Sequence, residues 1–270
     1  MSLTANTGPF GKTPAGEFNL DVRTATGAVL YWDPVLPRIR ATFAGETVID
    51  STNARLLHET GLLPVYYFPE RDVRMDLLVP SDTTSNCPHK GDAVYWSLQV
   101  GETTHPDAAW AYPEPIEHAA FLNGHLAFYW NALDEWLAED EQLHGHPRDP
   151  YSRIDVYPTS RRVRVLLDGE VLADTVRAKI LFESSLPARY YIPPDDVLVS
   201  LEPSSLVTRC AYKGLASHFN GAGEEDIAWS YPDPQHDAEP VRGLISFYDE
   251  RVDVEIDGEL VERPVTQWSR

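Results

Sequence analysis

Cysteine is almost missing from this chain: there are two in 270 residues, Cys87 and Cys210. A small secreted scaffold needs several bridges, so the expectation is reduced thiols in a cytoplasmic protein. Long apolar runs are missing as well, and no window reaches the roughly 20 residues that cross a bilayer. The opening "MSLTANTGPFGKTPAGEFN" has no charged stretch leading into an apolar one, as a secretion signal would. Basic residues are scarce, 22 against 42 acidic, for a formal net charge of -20. Such a chain repels phosphate backbones and anionic bilayers, so neither nucleic acid nor membrane is an expected partner. Metal-site spacing is absent too. The nine histidines include His144 and His146 around a glycine, His89 and His125 earlier, and His218 alone, but there is no H-E-x-x-H and no C-x-x-C. No metal is expected. The G-x-x-x-x-G-K-[ST] phosphate loop is also missing, and no cofactor is expected.

What the chain does have is its own text written twice. Arg38 falls on Arg162, Gly45 on Gly169, Asp50 on Asp174, Ala54 on Ala178 and Glu59 on Glu183, all at one offset. The match continues through Tyr66 and Tyr67 on Tyr190 and Tyr191, Pro69 on Pro193 and Asp72 on Asp196. After the loss of one residue, Pro80, Ser81, Cys87, Lys90 and Gly91 fall on Pro203, Ser204, Cys210, Lys213 and Gly214. "AWAYPEP" then meets "AWSYPDP", and Gly124, Phe128 and Tyr129 meet Gly243, Phe247 and Tyr248. A tandem duplication of a domain-sized unit explains the series.

Each unit reads as mainly β. "VRVLLDGEVLAD" is two branched apolar runs around Asp168-Gly169, a strong hairpin signal. "RVDVEIDGELVE" repeats the device at Asp257-Gly258. Short aromatic or branched segments punctuated by 22 prolines and 16 glycines suggest a compact barrel or folded-over sheet. One segment breaks the pattern. Over residues 131–142, together with Trp130, the residues Leu133, Trp136 and Leu137 recur at helical spacing between acids, which predicts a short amphipathic helix joining the copies. The expected division is a flexible leader over 1–22, copy 1 over 23–131, helix and linker over 132–152, and copy 2 over 153–270. A monomer is expected, its two copies forming an intramolecular pseudo-dimer.

The combined series of Y-Y-x-P-x-x-D-V, P-S-D-T-T, C-P-x-K-G, A-W-x-Y-P-x-P and G-x-x-x-F-Y resembles the DUF427 family, also labelled nucleotidyltransferase-like (NTP_transf_9). Its tandem actinobacterial members are most similar to the whole chain. The resemblance covers about residues 38–129 and 161–258. It implies a compact Mss4-like, or β-tent, fold in each copy, and it implies no settled activity. The chain departs from C-P-Y-K-G with His89 in the first copy and Ala211 in the second. The second copy also has Leu206 and Val207 where the first has threonines. The first copy is therefore the stronger candidate for function.

The candidate site follows from the paired motifs. Cys87 with Lys90 offers a thiol beside an ammonium that lowers its pKa, provided the segment bends, since residues three apart on a straight strand face opposite ways. Asp72 is read as an orienting base or a turn cap, and Glu59 as a buried partner for the lysine. Trp110 and Tyr112, two apart on a strand, share one face as core or as a stacking wall. Tyr67 and Ser81 complete the binding set. The second-copy equivalents are Cys210, Lys213, Asp196, Glu183, Trp229 and Tyr231. Two readings stay open: a small-molecule enzyme using a Cys/Lys pocket, and a non-catalytic binding or interaction module.

Overall fold

A computed structural model describes residues 3–5, 8–14, 16, 27–184, 186–266 and 268–269. The chain divides into two compact units, residues 2–151 and 152–270. Half of the leader expected over 1–22 lies outside the described residues. Within its described part Thr4 is buried and its carbonyl accepts the Gly61 N–H at 2.8 Å. Among the described residues no helix is long and apolar enough to cross a membrane.

The first unit is built of β1 (Leu30–Pro34), β2 (Ile39–Phe43), β3 (Glu46–Ser51), β4 (Arg55–Glu59), β5 (Val65–Pro69), β6 (Leu78–Cys87), β7 (Gly91–Val100), β8 (Thr103–Ala111), β9 (His125–Phe128), β10 (Glu135–Ala138) and β11 (Glu141–Gln142). A large sheet runs β1-β4-β5-β9-β8-β7-β6 and a small one β11-β10-β2-β3. The second unit repeats this with β12 (Ile154–Pro158), β13 (Val163–Leu167), β14 (Glu170–Thr175), β15 (Lys179–Glu183), β16 (Arg189–Tyr191), β17 (Leu201–Cys210), β18 (Gly214–Gly221), β19 (Glu224–Ser230), β20 (Ile245–Phe247), β21 (Asp253–Ile256) and β22 (Glu259–Leu260). Here the large sheet forms as β12-β15-β16 and β17-β18-β19-β20. Backbone bonds between Ile192 and Ile245, at 2.7 and 2.8 Å, join the two parts. The small sheet is β14-β13-β21-β22.

In the first unit the main core lies between the two sheets. Alternation on β2 turns Ile39, Ala41 and Phe43 inward, and they meet Leu56, Phe68, Leu98 and Leu126 of the large sheet. The large sheet is buried on its other face too, where Leu57, Tyr67, Ala127 and Tyr112 pack with Ala119 and Leu122 from a short 3-10 segment. Burial on both faces explains why β5 reads as an unbroken apolar and aromatic run and why neighbours on β4 such as Leu56 and Leu57 serve opposite cores. The hairpins at Asp168-Gly169 and Asp257-Gly258 form as their turn dipeptides predict. Both residues of each take positive φ, at 50° and 86° and at 54° and 86°, as a two-residue turn between twisted strands requires.

The joining helix does not form. Residues 130–132 make one 3-10 turn, and β10 and β11 follow as a hairpin on β2. This hairpin is the counterpart of β21–β22, so both copies end on the same element. The helical spacing arises because Trp136 faces the core from a strand while Trp130 reaches it from the preceding turn. Their rings stack at 4.8 Å and 7°. Glu139, at φ 51°, makes the bend where the second copy has Asp257-Gly258, and without a glycine it carries no turn signal.

The strand geometry separates two neighbours that a helix would place on one stripe. Trp136→Ala, emptying a buried site, is expected to lower stability by about 3–5 kcal/mol. Leu137→Thr, on the outward face, is expected to cost under about 1 kcal/mol. Urea unfolding of the full chain measures both.

Candidate functional site

The β6–β7 hairpin closes through Cys87-Pro88-His89-Lys90, with the Lys90 N–H donating to the Cys87 carbonyl at 3.2 Å. Proline suits the second position of such a turn because its ring already fixes φ. Gly91 then pairs with Cys87 at φ 105°. A Cβ there would lie 3.3 Å from the Glu114 carbonyl oxygen and 3.4 Å from the Ile116 nitrogen. That close approach lets the Ile116 N–H donate to the Lys90 carbonyl at 3.1 Å. Gly214 repeats it with φ 91° and 3.4 Å to Asp233 and Gln235, and the Gln235 N–H bonds the Lys213 carbonyl at 3.2 Å. The spacing C-x-x-K-G is therefore a turn clamped to the Y-P-x-P loop.

The turn sends its lysine inward. Lys90 Nζ bonds Glu59 on β4, with side chains 11% and 12% exposed, and Lys213 bonds Glu183 with 10% and 8%. Nζ of Lys90 stands 5.7 Å from the centre of the Tyr112 ring, and Tyr67 is fully buried among the same groups. Burial first, then the neighbouring Cys87 and Glu59, pushes the Tyr112 hydroxyl well above its ordinary range. Burial does the same to Tyr67, and in the second copy to Tyr191, up to about 12, and to Tyr231. These phenols stay neutral. For Lys213 burial acts downward, but Cys210, Glu183 and the two tyrosines outweigh it and hold the ammonium charged. Cys87 and Cys210 are free, half-buried thiols.

Other candidates sit elsewhere. Asp72 accepts from Ser51 Oγ at 2.7 Å and Asn53 Nδ2 at 3.1 Å, and Asp196 accepts from Thr175 at 2.6 Å and pairs with Arg177 at 2.6 Å. Both carboxylates fasten the loop after a small-sheet strand to a 3-10 turn rather than facing the lysine. Ser81, at the bulge of β6, accepts the Thr83 N–H at 3.1 Å, and Thr83 Oγ1 donates to Asp107 at 2.8 Å.

Trp110 belongs to a row that crosses the large sheet from Tyr67 through Ala127 to Trp110 and Tyr95. Tyr129, 48% exposed, lies over the Trp110 ring at 4.6 Å, and Tyr95 shares a hydrogen bond with Ser85 at 2.8 Å. The second copy keeps the pair as Trp229 and Tyr248, also at 4.6 Å, with His218 in place of Tyr95. It adds Arg189 where the first has Val65, both opposite the same leucine of the neighbouring strand. The Arg189 guanidinium is 5.6 Å from the Trp229 ring and 5.9 Å from Trp268. It forms two bonds to Glu250, at 2.9 and 2.6 Å, and stands 3.5 Å from Asp249. Burial, with Glu250 beside it, pushes Asp249 up to about 7 against the pull of Arg189.

Sequence reasoning did not single out Tyr129, Tyr95 or Arg189. The repeat alignment holds Tyr129, but its contact with Trp110 depends on cross-strand register. It also missed His58, fully buried on the face of β4 opposite Glu59, 3.7 Å from Asp33 and 3.8 Å from Asp149. Burial lowers its pKa despite both carboxylates, and Phe182 holds the matching position in the second copy.

A family model described as a domain of unknown function, DUF427 (NTP_transf_9), matches residues 32–139 and 155–258. Comparison with curated proteins finds no match.

Two outcomes follow from the buried charges. Lys90→Met strands Glu59 away from water and is expected to cost about 3–5 kcal/mol, whereas Lys90→Met with Glu59→Leu recovers most of it; equilibrium unfolding of the full chain decides. Asp249 binds its proton more tightly folded than unfolded. Its contribution is therefore complete below the ordinary 3.8 and is lost as pH rises through about 7. Against Asp249→Asn, the parent chain should lose stability between those limits, read from unfolding midpoints across pH.

Proposed function

The chain belongs to the DUF427 family, which its two segments both match, and from that premise we propose that it is a small-molecule-binding protein. The ligand sits at the aromatic corner of Trp110, Tyr129 and Tyr95 in the first copy, and the Lys90–Glu59–Tyr112 cluster holds the sheet that presents it. One observation carries this reading: the lysine is already neutralised inside the fold, whereas Tyr129 stands half in water over a tryptophan that it only partly covers. Aromatic faces left at a sheet surface offer large contact area at little entropic cost. A buried ammonium already bonded to a carboxylate is a poor clamp for a substrate anion. We read each two-sheet unit as a β-tent of the Mss4-like kind, a reading supported by one small sheet packed on one large sheet in both copies.

A second reading keeps an enzyme. It is supported by Cys87, half-buried at the turn and close enough to Tyr112 to act on its ionisation. In that reading Cys87 is the nucleophile or thiol donor and Lys90 the acid, with Asp72 taking no part.

A thermal-shift and saturation-transfer screen of metabolites against the full chain and Tyr129→Ala tests the first reading. Ligands whose response disappears in Tyr129→Ala are the expected result, and hits indifferent to Tyr129 would overturn it. Alkylation of Cys87 against pH, in the parent chain and Lys90→Arg, tests the second. A slow thiol titrating near the ordinary 8.5 in both would remove it.

A further inference from the structure

The two copies are each other's comparison. In the second, the tilted ring pair Trp229 and Tyr248 carries a cation of the chain's own, the guanidinium of Arg189 at 5.6 Å from the Trp229 ring. In the first, Trp110 and Tyr129 keep the same 4.6 Å spacing, but the position of Arg189 is Val65. Among the described residues no lysine or arginine lies over Trp110 or Tyr129. The nearest basic residue along the row is Arg55, opposite Tyr67 on the far side of Ala127. We propose that this corner binds an organic cation, a substituted ammonium or guanidinium group, which takes the place that Arg189 fills in the second copy. The proposal rests on the binding reading above and names its ligand class.

Three further observations agree. The face of an aromatic ring is its negative pole, and two or three rings around a point attract a cation that has lost part of its water. Tyr95 supplies the third ring here, next to Trp110 across the strand pair, where the second copy has the ionisable His218. Asp107 adds a fixed negative charge close enough to act on Tyr129. Hydrogen bonds from Ser81 and Thr83 hold that carboxyl below its usual range. The second copy balances Arg189 with Asp249 and Glu250, while the first has Trp130 and Asn131 in their places. A guest's charge would therefore be met by Asp107 and by the acidic chain as a whole, at -20.

The test follows the Trp110 indole N–H by NMR in the full chain, assigned through Trp110→Phe. At constant ionic strength, tetramethylammonium and methylguanidinium are titrated beside tert-butanol, a neutral probe of similar bulk, and benzyl alcohol. The expected result is saturable movement of Trp110 with the cations, roughly 3- to 30-fold tighter than with tert-butanol, and a still Trp229 signal. Val65→Arg, which installs the second copy's own residue, should remove the cation response. Where that variant loses its fold by circular dichroism, Tyr129→Ala serves, with at least about tenfold weaker binding expected. Equal response to tert-butanol, or a cation response unchanged in folded Val65→Arg or in Tyr129→Ala, overturns the cation assignment. If benzyl alcohol still moves Trp110, the binding reading survives that failure. If no probe moves it, both fall.

Discussion

In each half an ammonium and a carboxylate leave water together, and much of the local structure exists to make that tolerable. A charge buried alone costs several kcal/mol, and its partner repays this only when geometry is tight and the remaining polar atoms are met. Lys90 reaches Glu59 because a three-residue turn ends β6 at Cys87 and starts β7 at Gly91. The turn holds its angle because the loop at residues 114–116 packs closely on it, and a side chain at 91 would be strained at φ 105° and would crowd that loop. The neutral phenols of Tyr67 and Tyr112 fill the space around the pair without adding charge. The residues that recur in both halves, cysteine, lysine, glycine, glutamate and the paired tyrosines, are largely the parts of this one arrangement. Their recurrence therefore speaks first of folding, and function is better sought where the halves differ.

They differ along the rim of the large sheet. Val65 corresponds to Arg189, Tyr95 to His218 and Asn131 to Glu250 at matching places on a common backbone, and on β4 the buried His58 corresponds to Phe182. In the second copy the rim satisfies itself, with a guanidinium held between two indoles and two carboxylates. In the first, the same pair of tilted rings ends in a half-exposed tyrosine. Duplication allows this division, since one copy can supply stability while the other keeps an open surface.

Much of the fold was legible because it is local. Asp-Gly dipeptides between branched runs specify two-residue turns, and both hairpins read that way are present. The C-x-x-K-G bend was legible as a requirement, since a lysine three residues from a cysteine meets it only around a turn. The segment at 131–142 misled because two tryptophans six residues apart reach one core by different routes, a turn and a strand, and their spacing imitates a helix. Its acidic turn lacks the glycine that marks its twin. Asp72, expected from its place after a proline to cap a turn through backbone N–H groups, instead accepts from the side chains of Ser51 and Asn53, partners that lie some twenty residues away in sequence. The contact of Tyr129 with Trp110 and the pairing of Arg189 with Glu250 depend on which strands lie side by side. No local pattern records that, because the neighbours in the sheet are far apart in the chain.

Strand β4 carries a histidine and a glutamate side by side, both withdrawn from water, one toward Asp33 and Asp149 and the other toward Lys90. Sliding this strand by a single residue against its neighbours would exchange their sides of the sheet. The carboxylate would then meet two others, and the imidazole would face an ammonium. An all-aliphatic strand, apolar on both sides, would pay little for such a slip. Here opposite chemistries back to back make the misaligned sheet electrostatically forbidding, so β4 defends its own alignment.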